Sequence, residues 1–100
     1  MALHILLALV DRDRHGLGIA DEVESFTRGR VLLGPGTLYG TIKRLLDAGL
    51  IEERAAAPRD DRDDPRRRYY RITPSGRRTL ADETSALSQV VQAARLKRVL

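Results

Sequence analysis

Six arginines, Arg66, Arg67, Arg68, Arg71, Arg77 and Arg78, stand between positions 66 and 78 with no acidic side chain among them. A guanidinium is always charged in proteins, and its planar fork of donors matches phosphate oxygens. A block so segregated suits a polyanion better than a uniformly solvated surface. A second set lies upstream, in Gly34-Pro35-Gly36-Thr37-Leu38-Tyr39-Gly40-Thr41-Ile42-Lys43-Arg44. Thr37, Tyr39 and Thr41 bring hydroxyls there, and Lys43 and Arg44 bring charge. Pro35 sits where a helix start tolerates a missing N–H. The free N–H groups and positive end of that helix can hold a phosphate.

Both sets need elements to position them. Leu38, Ile42, Leu45 and Leu46 fall at helical spacing and form a buried stripe, leaving Thr37, Tyr39, Gly40, Lys43 and Arg44 on the outer faces. Gly49 suits the position after the helix, and Leu50-Ile51 begins a strand. The returning strand alternates: Ile72 needs the core, so Tyr70 follows it inward, while Arg67, Tyr69 and Arg71 face solvent or a partner. A helix beside a basic β-hairpin is a winged helix-turn-helix, mainly α with a small β-wing, and DNA is the first partner to consider.

The remaining elements brace this pair. Leu3 to Val10 reads as an apolar helix buried on most sides. A second helix follows His15-Gly16, with Ile19, Val23 and Phe26 on one face and Asp21, Glu22 and Glu24 on the other, too acidic to lie against phosphates. Arg30-Val31-Leu32-Leu33 reads as a short extended strand. Residues 55–65 form a polar loop with Arg59-Asp60-Asp61-Arg62-Asp63-Asp64 at its centre, long for a hairpin connection. Thr73 reads as an N-cap and Pro74 as the first helical residue. The last helix carries a seam of Leu80, Thr84, Leu87, Val91 and Ala94 near coiled-coil spacing. Its partner is either the first helix or a second chain. The division is 1–73 for the winged helix and 74–100 for the terminal helix, within one compact unit.

Composition removes other classes. The 100 residues carry a net charge of +4 and no cysteine, so disulfides, thiolate metal sites and cysteine nucleophiles are excluded. Residues 1–34 hold four basic and five acidic side chains, so the basic excess lies downstream. No apolar run approaches the roughly 20 residues of a membrane span, and the apolar opening lacks a basic leader and a cleavage site. The expectation is a soluble, cytoplasmic protein. No nucleophile–base pair, phosphate loop or metal cluster appears in the sequence, so neither an enzyme nor a cofactor is expected. The acidic loop lacks the glycine and distant glutamate of a calcium loop. His4 and His15 have no companions at ligand spacing, and His15 reads as a turn residue.

The chain resembles the PadR family of bacterial transcriptional regulators. The resemblance rests on His15-Gly16, on Gly36-Thr37-Leu38-Tyr39, on Leu45 with Gly49-Leu50-Ile51, and on Arg68-Tyr69-Tyr70-Arg71-Ile72-Thr73 with Gly76. It spans the chain from about Leu3 to the end of the last helix. It implies a homodimer in which the last helix of one subunit packs on the first helix of the other. That interface would draw on Leu3, Leu6, Leu7 and Val10 with Leu80, Thr84, Leu87, Val91 and Ala94. It also implies repression of nearby genes, relieved by a small-molecule effector at the dimer interface. Two positions depart from the pattern. Leu17 stands where the family often has tyrosine, and the chain lacks the tryptophans with which some members sandwich flat drugs.

On double-stranded DNA, the major groove admits a helix, and residues near its N-terminus reach base edges. Thr37, Thr41 and Lys43 are expected there, with Gly36 and Tyr39 nearer the backbone and Arg44 adding charge. Arg66, Arg67 and Arg68, with Tyr69, would follow a neighbouring backbone or enter the minor groove. Gly40 lets a backbone approach closely, the surface being either DNA or the supporting helix. The acids of the loop either pair with Arg59 and Arg62 or point away from DNA. A dimer would read a palindromic operator. The other reading is a winged helix for protein–protein contact or for non-specific architectural DNA binding.

Overall fold

A computed structural model describes residues 1–55 and 68–100. The elements run α1 (Ala2–Leu9), β1 (Arg14–His15), α2 (Gly16–Phe26), α3 (Pro35–Asp47), β2 (Ile51–Ala55), β3 (Arg68–Ile72) and α4 (Pro74–Leu96). Arg66, Arg67 and the acidic loop lie outside the described residues, as does every expectation placed on them.

Three helices close on one another through aliphatic side chains. Ile5, Leu6, Ala8 and Leu9 of α1 meet Ile19 and Val23 of α2 and Leu38, Ile42 and Leu45 of α3. Tyr70 and Ile72 of β3, Ile51 of β2 and Leu80 of α4 complete this core. Phe26, expected on the inner stripe of α2, is instead 38% exposed and stacks on His4 with ring centroids 6.1 Å apart. The starts of α2, α3 and α4 follow local chemistry. His15 caps α2, its Nδ1 accepting from the Gly18 N–H at 3.1 Å. Gly34 and Pro35 open α3, and Thr73 and Pro74 open α4. Gly49, at φ +73°, lets the chain leave α3 for β2.

The sheet corrects one expectation. Residues 30–33 form no strand; the third strand is β1, ahead of α2, and the strand order is β1-β3-β2. β3 offers two edges. β2 takes one, pairing Ile51 with Ile72 and Arg54 with Tyr69, and β1 takes the other, pairing Arg14 with Tyr70 and His15 with Tyr69. No edge of β3 is left for residues 30–33, where the Val31 N–H bonds to the Thr27 hydroxyl at 3.1 Å. Arg14 anchors β1 from the side: its Nε donates to the Ala8 carbonyl at 2.7 Å, and its guanidinium pairs with Glu22 and Asp11.

The start of α4 is held by a close contact. The Thr73 N–H donates to the Leu50 carbonyl at 3.1 Å, and the Thr73 hydroxyl donates to the Gly49 carbonyl at 2.7 Å while accepting from the Gly76 N–H. A Cβ on Gly76 would stand 2.1 Å from the Leu50 oxygen. Beyond Leu80 the helix leaves the body, and every residue from Ala81 to Ala93 is exposed. The 23 residues of α4 span roughly 35 Å at 1.5 Å per residue, which elongates the molecule to 52 × 28 × 25 Å.

Gly76→Ala is expected to lower stability by about 1–3 kcal/mol or more, as overpacking does. Urea denaturation followed by circular dichroism would read this; an unchanged midpoint would show that the corner yields. Tyr70 gives a second prediction. Its burial, then the negative charge of Glu53 and of an ionised Tyr39, raise its hydroxyl above the ordinary 10.0, with Arg68 opposing. The unfolded chain therefore ionises first, and stability, intact below about pH 10, falls as pH rises through the folded value. Tyr70→Phe is expected to flatten that alkaline slope in melts between about pH 9 and 11.

Candidate nucleic-acid interface

The outer face of α3 follows from helical spacing. Leu38, Thr41, Ile42 and Leu45 point inward and are buried. Opposite them, Gly36, Gly40, Lys43 and Asp47 fall at i, i+4, i+7 and i+11 along one outward line. Thr37 and Arg44 flank that line on one side and Tyr39 on the other. A Cβ on Gly36 or Gly40 would meet nothing within 4 Å, so Gly40 does not serve contact with the supporting helix. Both glycines lie in bare backbone facing outward. At the head of α3, Gly34 gives no side-chain cap, and the N–H groups of Gly36 and Thr37 lie in the first turn, beyond reach of intrahelical carbonyls.

Two of the expected contact residues on α3 are placed differently from the rest. Thr41 is only 2% exposed, on the inner face, and its hydroxyl accepts from the Arg44 guanidinium at 3.2 Å. This back-bond draws Arg44 along its own helix, whereas Lys43 stands on the outward line. Tyr39 remains 49% exposed with its ring lying over Gly16, the first residue of α2.

The wing is less one-sided in charge than its sequence. Across the β2–β3 ladder Glu52 faces Arg71, and Glu53 stands diagonal to Arg68. Arg68 pairs with Glu53 at 2.9 Å, Arg71 pairs with Glu52, and Arg54 pairs with Asp13. The Arg68–Glu53 and Arg71–Glu52 pairs are solvent-exposed, where a pair contributes only about 0.2–1 kcal/mol. A phosphate can therefore replace the carboxylate at little cost. Tyr69, on the same face as Arg71, is half-buried because its ring meets His15 edge-on, centroids 5.5 Å apart. The β1–α2 corner thus touches both the wing and the outer face of α3.

The residues expected at a subunit interface divide in two. Leu6 (2% exposed) and Leu80 are consumed by the chain's own core. Leu3, Val10 and Ala94 are half-buried, and Leu7, Leu87 and Val91 are exposed. The Thr84 hydroxyl donates back to the Leu80 carbonyl at 2.8 Å. Val90, absent from the expected seam, is 64% exposed beside Leu87 and Val91. An open cleft of about 470 Å³ lies at the end of α2, lined by His4, Phe26, Thr27, Arg28, Arg30 and Val31. Among the described residues, no three His, Cys, Asp or Glu side chains could hold a metal ion, and no helix is long and apolar enough to cross a membrane.

Sequence reasoning did not reach Gly16, Glu52 and Glu53 as members of this surface. The glutamates were legible in principle from cross-strand alternation, but only once the register was known. Gly16 carried no signal beyond its place after His15.

The arrangement has relatives. Over 92 residues the chain is 36% identical to Transcriptional regulator Rv3488 of Mycobacterium tuberculosis, covering 90% of this chain and 78% of that one. Its fold is similar to that of a PadR family transcription regulator from Clostridium difficile, with a TM-score of 0.79 and 23% identity over 95% of this chain and 94% of that one. Bacillus subtilis PadR in complex with operator DNA also shares the fold, with a TM-score of 0.68 and 22% identity over 83% of this chain and 45% of that one. From Ile5 in the first helix to Asp82 in the last, spanning α3, the described wing strands and the start of α4, the sequence matches the family model. The chain therefore belongs to the PadR-like family of transcriptional regulators, and its role is regulation rather than catalysis.

Proposed function

We propose that this regulator binds double-stranded DNA as a homodimer, with α3 in the major groove and the wing on the adjoining backbone, and that it represses transcription by occupying a palindromic operator. The observation that carries the reading is the outward line of α3, where two glycines leave the backbone bare beside Lys43, Tyr39 and Thr37. A surface without side chains suits close approach to a groove, and the first-turn N–H groups suit a phosphate. Lys43, rather than Arg44, is the cation aimed outward. Thr41 is left out of direct base contact by its burial. Arg66 and Arg67, with Arg68 and Tyr69, complete the proposed DNA-binding set. The fold likeness to a PadR in complex with operator DNA supports DNA as the partner.

Dimerisation is supported by the apolar residues that α4 leaves exposed. Leu87, Val90 and Val91 form a stripe on a helix that has left its own core, and Leu7 offers an exposed apolar side chain on α1. Contiguous apolar surface of this kind marks an interaction site. Relief of repression by a small molecule held at the dimer interface is the last part of the proposal. The cleft beside His4 and Phe26 has a volume in the range of small-ligand sites.

A fluorescence titration against the DNA upstream of the protein's own gene, with scrambled competitor at two salt concentrations, tests the reading. Tight, competitor-resistant binding that weakens steeply with salt is expected; loss to scrambled DNA would favour an architectural role, and no binding at low salt would favour protein–protein contact. Gly40→Ala sharpens the test by moving two quantities in opposite directions. It is expected to raise stability by about 0.5–1 kcal/mol, as alanine does over glycine in a helix, yet to weaken DNA binding. Unchanged affinity would remove the outward line of α3 from the interface. Leu87→Arg is expected to give monomers in sedimentation; persistent dimers would place the interface elsewhere.

A further inference from the structure

Gly16 opens α2 and is buried, although nothing in its backbone asks for glycine. Its φ is not among the positive values, which among the described glycines fall at Gly29 and Gly49. Alanine is also the better helix former, so the reason for a bare Cα lies in what covers it. A Cβ there would stand 2.6 Å from the Tyr39 hydroxyl oxygen and 2.9 Å from the ring carbons Cε1 and Cζ. The hydroxyl end of the phenol covers the first residue of α2, yet half of Tyr39 stays open to solvent.

We propose that Gly16 is a positioning residue for Tyr39, its missing side chain forming the seat that sets where the phenol hydroxyl stands on the outer face of α3. The inference rests on the DNA-binding reading of that face. Any larger residue lifts the ring, and because the obstructing atoms are the far end of a flexible side chain, the tyrosine moves rather than the backbone. The hydroxyl then no longer stands where a phosphate oxygen would meet it. The neighbouring residue gives the seat a second connection. His15 pairs with Tyr69 in the sheet and touches its ring, so the corner that seats Tyr39 also fixes the wing. α3 and the wing are therefore set against one another through two adjacent residues, His15 and Gly16.

The test is a double-mutant cycle on the full chain, using a labelled mixed-sequence DNA duplex at low salt, since a phosphate contact needs no particular sequence. Gly16→Ala and Tyr39→Phe are each expected to weaken binding about tenfold, the loss of one hydrogen bond to a charged group. Gly16→Ala should leave the melting temperature nearly unchanged, and in a Tyr39→Ala background it should weaken binding less than about twofold, because coupled sites are not additive. Wild-type affinity in Gly16→Ala while Tyr39→Phe is weakened would overturn the seat and leave the DNA reading standing. An equal loss in the Tyr39→Ala background, or a collapsed melting temperature, would overturn it as well by assigning Gly16 to the fold alone. If the wild-type protein does not bind the duplex, the DNA reading fails and the inference falls with it.

Discussion

The rest of this fold depends on one backbone contact, between the first turn of α4 and the Leu50 carbonyl. That oxygen accepts from the Thr73 N–H and lies so close to Gly76 that no side chain fits there. The Thr73 hydroxyl, donating to the Gly49 carbonyl and accepting from Gly76, closes the same corner. Four elements end or begin within these few residues: α3, β2, β3 and α4. Holding them together sets the register of the β2–β3 ladder and hence which faces of the wing point out. It also sets the direction in which α4 departs from the body. This corner at the C-terminal end of α3 thus bears on how helix and wing are presented together.

Register has a direct electrostatic consequence. Because Glu52 is brought opposite Arg71 and Glu53 beside Arg68, part of the wing's positive charge is matched within the molecule. Exposed pairs of this kind hold weakly, so the carboxylates act as exchangeable partners rather than as a permanent cancellation. On the proposed reading, a DNA backbone would have to displace them. The two pairs lie on opposite faces of the sheet, Arg71 with Glu52 on the outer face and Arg68 with Glu53 on the face of Tyr70 and Ile72.

Family membership and the course of α4 bear on each other. A helix that is buried only as far as Leu80, and then carries Leu87, Val90 and Val91 into solvent, does not complete its own burial. In the proposed dimer, a second copy bringing its own α1 with Leu7 against this stripe would cover it, and two-fold symmetry would repeat the contact. The same symmetry would present two α3 helices to one duplex, which links the apolar stripe to the proposed palindromic operator.

By itself the sequence determined the inward stripe of α3, the caps at Pro35, Thr73 and Pro74, the inward alternation of Tyr70 and Ile72, and membership in a family of regulators. These are local: period, cap chemistry and motif spacing are written in consecutive residues and need no distant partner. Only the tertiary structure decided that the third strand is Arg14–His15 rather than residues 30–33, because that depends on which segment reaches the free edge of β3. It alone placed Thr41 inward, spent Leu6 and Leu80 on the chain's own core, and set glutamates against the wing's arginines. It alone gave Gly16 a role, since the reason for that glycine is a tyrosine on another helix. Contacts between residues far apart in the chain follow from how whole elements dock, and no single stretch of sequence records that.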